Sequence, residues 1–212
     1  MKQLFFPYTQ AQTDYLKQKD KRLGAIIDRV GHIDRPIIPD LYTALLHSIV
    51  GQQISTKAHA TVWARVEGRF SPITPEHIAK VSDEELQQCG MTMRKVGYIK
   101  QITDEILSGR LELAALDWME DEEVCKTLVK LPGIGMWTAE MLMTFSMLRP
   151  NILSYGDLAI RRGMRMVYRH RELTPALFEK YKKRLSPQCT VAALYFWAVA
   201  GGKLPELTDP GK

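Results

Sequence analysis

The sequence predicts an all-α protein. Apolar residues recur at three- and four-residue spacing along nearly the whole chain, residues suited to helix N-caps stand at the head of these runs, and no convincing two-residue alternation interrupts them. Residues 10–30 read as one helix, with Leu16, Leu23, Ile26, Ile27 and Val30 near a 3.6 period. Asp40 can cap a helix through Leu41, Leu45, Leu46 and Ile49 to Val50, which Gly51 interrupts. Ser55 can cap the next, with Val62, Trp63 and Val66, and Gly68 is expected to end it. Pro75 opens a short helix, Ser82 with Glu85 forms a capping box, and Thr92 can cap the segment Lys95 to Ser108. The acidic run Asp117 to Glu123 suits the start of a helix containing Val124, Leu128 and Leu131. Further helices are expected at 136–148, 157–169, 175–185 and 190–200.

The chain has 212 residues, 45% hydrophobic and 25% charged, which fits one globular domain or two small ones sharing a core and excludes disordered and fibrous classes. Its longest uncharged stretch, Leu185 to Gly202, opens on polar residues, and the apolar part from Val191 to Ala200 is too short to span a bilayer, which needs about 20 residues. The start, Met1-Lys2-Gln3-Leu4-Phe5-Phe6-Pro7, turns polar too soon for a secretory leader. A cytoplasmic protein with no membrane association is expected. Cys89, Cys125 and Cys189 lie far apart, so neither a disulfide framework nor a zinc or iron–sulfur site is expected, only buried thiols. The histidines His32, His47, His59, His77 and His170 show no ligand spacing.

Charge is uneven. The net charge is +5, yet residues 149–184 alone hold ten basic against three acidic groups. A local basic block is consistent with a polyanion partner or with a solvated helix face.

The segment Leu128-Val129-Lys130-Leu131-Pro132-Gly133-Ile134-Gly135-Met136-Trp137-Thr138-Ala139 carries more information. Pro132 stops one helix, Gly133 and Gly135 leave a tight turn without Cβ atoms, and a second helix starts at once with Thr138 in its first turn. Backbone N–H groups at such a start can hold an anion such as a nucleic-acid phosphate. Turn chemistry alone fits a plain packing joint equally well.

The pattern Leu-Pro-Gly-Ile-Gly-x-x-Thr-Ala resembles the helix-hairpin-helix of DNA glycosylases. About twenty residues on, Leu153-Ser154-Tyr155-Gly156-Asp157-Leu158 stands where that superfamily has a loop ending in its catalytic aspartate. Within the superfamily the chain looks like 3-methyladenine DNA glycosylase II, the alkylpurine type, with the resemblance extending to Ser48-Ile49-Val50-Gly51-Gln52-Gln53-Ile54-Ser55 and to Val191-Ala192-Ala193-Leu194-Tyr195-Phe196-Trp197. It implies two interleaved helical subdomains: a central barrel at 36–164 containing the hairpin (about 121–148) and the catalytic loop, and a discontinuous subdomain of 1–35 plus 165–212, with the active site in the cleft between them. Longer members carry an extra N-terminal domain for which this chain has no room, so a compact version is expected.

The resemblance also assigns roles. Asp157 would stabilise the positive charge that develops on the deoxyribose as a purine departs, and would orient or deprotonate water. Its other use, an N-cap before Leu158 to Tyr168, is compatible with this. Trp137 and Trp197 would line the base pocket, where an indole face attracts a cationic N-alkylated purine; core packing is the ordinary fate of both. Tyr155 and Leu158 would add to the wall. Met141 fills a place often aromatic in relatives, which opens the question of substrate range. Gln52 and Gln53 form the loop expected to enter the gap left by the flipped nucleotide, with Gln53 as the wedge. Gly133, Gly135 and Thr138 would face DNA, and Arg161, with Arg162 and Arg165, would contact phosphates or acidic partners. Backbone carbonyls of Val129, Leu131 and Ile134 would hold a structural Na or K ion; no other cofactor is required. Lyase members carry a Schiff-base lysine two residues after the second hairpin glycine. Here that residue is Trp137, so a monofunctional hydrolase is expected. Its partner is damaged double-stranded DNA, it is expected to be a monomer, and its location is cytoplasmic and nucleoid-associated. Three alternatives stay open: a hairpin glycosylase for a deaminated or mismatched base, a non-catalytic DNA-binding module, and a helical protein–protein scaffold.

Overall fold

The computed structural model describes residues 3–211; Met1 and Lys2, the start of the segment weighed as a leader, and Lys212 lie outside the described residues. Twelve α-helices, numbered along the chain, and one two-stranded ribbon form two compact units among the described residues. The terminal unit comprises 3–37 and 148–211, and the central unit runs from Ile38 to Met147.

The terminal unit contains α1 (Gln10–Lys19), α2 (Lys21–Val30), α10 (Leu158–Tyr168), α11 (Pro175–Leu185) and α12 (Cys189–Ala200). The run at 10–30 is thus two helices, not one. Asp20 leaves the helical region (φ −144°, ψ 103°), and its Oδ1 accepts the N–H groups of Arg22 (3.1 Å) and Leu23 (3.0 Å). Aspartate competes with helix backbone in this way, and the 3.6 period cannot register it because the apolar stripe carries on across the break. The partner oxygen Oδ2 takes an ion pair from Arg184 at 2.9 Å. Strands β1 (Leu4–Phe5) and β2 (Pro36–Ile37) pair antiparallel, Leu4 opposite Ile37. They depart from a purely helical expectation, and two residues are too few to show alternation.

Helix α12 is buried along almost its whole length, which is why its sequence lacks an amphipathic stripe. It packs against α10, and the approach is close at Gly163: a Cβ there would stand 2.1 Å from the Phe196 carbonyl oxygen. This packing places α10, with Asp157 before it, in the terminal unit. In sequence the two units divide at 147/148.

The central unit holds α3 (Leu41–Gly51), α4 (Thr56–Phe70), α5 (Pro75–Lys80), α6 (Asp83–Gln87), α7 (Met93–Leu107), a 3₁₀ turn (Ala114–Trp118), α8 (Asp121–Leu128) and α9 (Met136–Phe145). The expected N-caps are formed. Asp40, Ser55 and Thr92 accept from the backbone three residues on, and Ser82 and Glu85 make the reciprocal box. Helix α4 runs past Gly68 to the buried Phe70, a correction to the expected end: burial of Phe70 outweighs the cost of one helical glycine, about 1 kcal/mol. The acidic run divides, with Asp117 in the 3₁₀ turn and Asp121, Glu122 and Glu123 in the first turn of α8. Helix α7 packs against α3, α5 and α6, and α3 against α4 and α9. The ends of the unit are tied where the Ile38 N–H donates to the Phe145 carbonyl (3.2 Å) and Ser146 Oγ to the Pro39 carbonyl (3.3 Å).

No described helix is long and apolar enough to cross a membrane. Among the described residues no group of three or more His, Cys, Asp or Glu is arranged to hold a metal ion. Cys89 and Cys189 are buried and Cys125 is partly so; burial pushes the Cys189 thiol up to about 12.

Gly163→Ala is expected to destabilise the protein by about 3 kcal/mol or more, because the clashing atom is backbone and α10 must move off α12. Urea unfolding with both helices' signals checks this; an unchanged midpoint would mean that the close approach is not maintained.

Candidate active site

In the central unit, α8 and α9 form a helix-hairpin-helix around residues 129–135. Gly133 has φ +79°, open to glycine, and a Cβ there would meet the Tyr98 ring at 2.6 Å. Gly135 is the N-cap residue of α9 and offers no side-chain cap. A Cβ on it would meet nothing within 4 Å, so this side of the turn is open. The first-turn N–H groups of Met136, Trp137 and Thr138 have no carbonyl one turn back within the helix. Met136 (60%) and Trp137 (50%) are exposed, while Thr138 and Met141 are half-buried.

A second loop, between α3 and α4, lies against this hairpin. Gln52 Nε2 donates to the Gly133 carbonyl at 2.7 Å, and Lys95 Nζ donates to the carbonyls of Val50 (2.8 Å) and Gln52 (2.7 Å). Helix α7 thus fixes both features one turn apart: Lys95 holds the loop and Tyr98 abuts the hairpin glycine. Gly51 is small for a reason, since a Cβ there would stand 2.6 Å from the His59 ring. His59 lies against His47 (ring centroids 4.2 Å apart), and His47 meets Trp63 edge-on at 4.9 Å. Burial pushes the His47 imidazole down to about 4, with His59 adding to the shift, and burial also lowers His59. Neutral rings therefore pack beneath the loop at neutral pH. Gln53, two residues after Gly51, is exposed with φ +55°, an uncommon conformation for a side-chain-bearing residue. Ile54 follows, 40% exposed.

In the terminal unit, Asp157 is the N-cap of α10, with φ −80° and ψ 112°, and is 7% exposed. Its Oδ1 accepts the N–H groups of Ala159 and Ile160, both at 2.8 Å. The cap uses one carboxylate oxygen only. Leu158 beside it is 73% exposed. Tyr155 donates its hydroxyl to the Leu173 carbonyl (3.2 Å), stands edge-on to Phe178, and carries the Arg161 guanidinium 5.0 Å above its ring. Trp197 on α12 is half-buried, and the Arg35 guanidinium lies over its indole, 5.9 Å from the centroid.

Several expected site residues are engaged in ways that the sequence did not reveal. The Gln52 amide nitrogen is bonded to the hairpin, which leaves Gln53 as the exposed member of the pair. Arg162 donates to the Ala200 carbonyl, and Arg165 pairs with Asp209 through two bonds, so these two arginines serve the C-terminal segment rather than standing free for phosphate. Lys95, Tyr98, Arg35 and Ile54 escaped the sequence reading. A lysine, a tyrosine and an arginine outside any motif carry no signal until the chain is folded, and Ile54 reads as an ordinary apolar residue.

Comparison with known proteins fits this geometry. Residues 46–188 match the family model of the HhH-GPD superfamily base excision DNA repair protein. The chain is 31% identical over 176 residues to DNA-3-methyladenine glycosylase 1 of Schizosaccharomyces pombe, covering 80% of this chain and 75% of that one. Among solved structures, a DNA-3-methyladenine glycosidase from Bacillus halodurans superposes with a TM-score of 0.84 at 35% identity, covering 97% of this chain and 95% of the other. The S. pombe 3-methyladenine DNA glycosylase in complex with abasic DNA superposes with a TM-score of 0.78 at 28% identity, over 94% of this chain and all of the other. With two thirds of its length in the family match and its hairpin and aspartate-capped helix both formed, the chain belongs to the HhH-GPD superfamily of base excision DNA repair proteins.

Proposed function

We propose that the protein is a monofunctional DNA glycosylase that hydrolyses the N-glycosidic bond of alkylated purines, of the 3-methyladenine and 7-methylguanine type, in duplex DNA. The observation that carries this reading is Asp157, a buried carboxylate clamped through one oxygen to the first turn of α10. So anchored, the carboxylate as a whole is held in a fixed direction.

N-alkylation puts a positive charge on the purine. As the C1′–N bond breaks, its electron pair neutralises the departing base and the charge passes to the sugar. A neutral leaving base needs no proton donor. The task left to the protein is to stabilise an oxocarbenium-like sugar, and a fixed carboxylate does so without reorganising. Water then forms the new bond to C1′, and its proton passes to Asp157 or to solvent. The target nucleotide must leave the helix for any of this, since the bond is inaccessible inside a duplex. Exposed Gln53 is the proposed wedge, with Ile54 beside it as an apolar surface for the neighbouring bases. The first turn of α9 supplies N–H donors for a backbone phosphate, and the Trp137 and Trp197 indoles attract a cationic base. Tyr155, Leu158 and Met141 are proposed as wall residues and Arg161 as a phosphate contact.

The absence of lyase chemistry rests on Trp137, which offers no amine for a Schiff base, and is supported by Lys95, whose ammonium is bonded to two carbonyls. Carbonyls of Val129, Leu131 and Ile134 would hold a monovalent cation at the hairpin. Neutral oxygen donors suit such an ion, and the Leu131 carbonyl, which accepts the Ile134 N–H at 3.1 Å, has a second lone pair. The ion would screen a nearby phosphate.

Incubated with methylated duplex DNA, the protein is expected to release methylated purine bases and to leave strands that break only after alkali. Strand breaks without alkali would contradict the monofunctional reading, and absence of base release would contradict the glycosylase reading for these lesions. Lys95→Met removes the donor from two carbonyls, at a cost of about 1–3 kcal/mol locally. It is expected to slow base release about tenfold with Lys95→Arg retaining more activity, measured in single-turnover assays; wild-type rates would mean that the loop holds its shape without Lys95.

A further inference from the structure

One charged residue at the proposed base site plays no part in the chemistry above. Arg35 precedes Pro36, and its carbonyl accepts the Phe6 N–H at 2.8 Å, so its backbone is fixed at the edge of the β1–β2 ribbon. From there its guanidinium reaches over the Trp197 indole, 5.9 Å from the ring centroid. The residue as a whole is exposed, but its head group is partly desolvated, which lowers its pKa, and the charge of Asp157 opposes that shift. One region of the terminal unit therefore gathers a carboxylate, an electron-rich indole and a resident cation.

We propose that Arg35 is a specificity-determining residue: it occupies the Trp197 face as a built-in cation and so sets how strongly the site favours charged over neutral purines. The inference rests on the reading above that Trp197 receives the damaged base. An indole face that holds a guanidinium must give it up before a flipped base can stack there. That displacement costs a cationic and a neutral base alike. The difference comes afterwards. A displaced arginine on a fixed backbone stays within a Debye length, about 8 Å, and repels a cationic base while leaving a neutral one alone. Arg35 thus moderates the cation preference that Asp157 and the indoles would otherwise impose.

The test compares wild type, Arg35→Gln, Arg35→Met and Arg35→Lys in release of 7-methylguanine from duplex DNA, with two free bases as competitive inhibitors. The 7,9-dimethylguaninium ion is cationic, and 9-methylguanine is its neutral counterpart. Removing the charge in the Gln and Met variants is expected to lower the inhibition constant of the cation about tenfold more than that of the neutral base, while Arg35→Lys keeps the wild-type ratio. The residue as a whole is exposed, so the variants are expected to fold, and two neutral replacements guard against one that does not. If the wild type releases 7-methylguanine but the two inhibition constants move together within twofold, or neither base inhibits any form, the inference is overturned and the functional reading stands. If the wild type releases no methylated base, the reading of Trp197 fails and the inference fails with it.

Discussion

The bond between the Asp157 carboxylate and the first turn of α10 is the contact on which the proposed chemistry depends. An ionised side chain on a loop would be free to rotate and to collect water. Here Oδ1 accepts two backbone N–H groups at 2.8 Å, which sets the direction of the whole group. The cap is only as rigid as the helix it caps, and α10 is rigid because Gly163 lets it approach the backbone of α12 at Phe196. The same pairing carries Trp197 one residue beyond that contact. A single helix–helix approach therefore positions both the carboxylate and an aromatic face within the terminal unit.

The central unit follows similar logic with different parts. Its two loops are held by one helix: Lys95 and Tyr98, a turn apart on α7, engage the Val50–Gln52 segment and Gly133 respectively. Gln52 then joins loop to hairpin directly. Neutral imidazoles of His47 and His59 fill the space beneath, which only a glycine at 51 permits. A strained residue, Gln53, stands at the tip of this support. Backbone strain of this kind persists where the surroundings over-determine it, and here the surroundings are a lysine clamp, an amide bridge and a packed ring.

Most of the helical plan is legible in the sequence, because it is written in local chemistry. Caps at Asp40, Ser55, Ser82 and Thr92 and the turn at Pro132-Gly133-Ile134-Gly135 need only a few neighbouring residues to act. The failures have a common cause. Asp20 breaks a helix whose apolar stripe runs straight through it, and it is stabilised by Arg184, far along the chain. Gly68 does not end α4, because the buried Phe70 beyond it is anchored by tertiary packing. At the site, motif residues could be named in advance, but Lys95, Tyr98 and Arg35 act through contacts across tens of residues and leave no local pattern.

Asp157 is thus proposed to have two separable functions, capping α10 and stabilising the sugar cation. Asparagine caps helices about as well as aspartate but carries no charge. The deciding measurement is therefore the thermal midpoint of Asp157→Asn alongside its single-turnover release of methylated purines. A midpoint close to that of wild type and release slowed by at least about 100-fold are expected. Release at near the wild-type rate, with the midpoint unchanged, would show that the charge of Asp157 is not what drives the reaction.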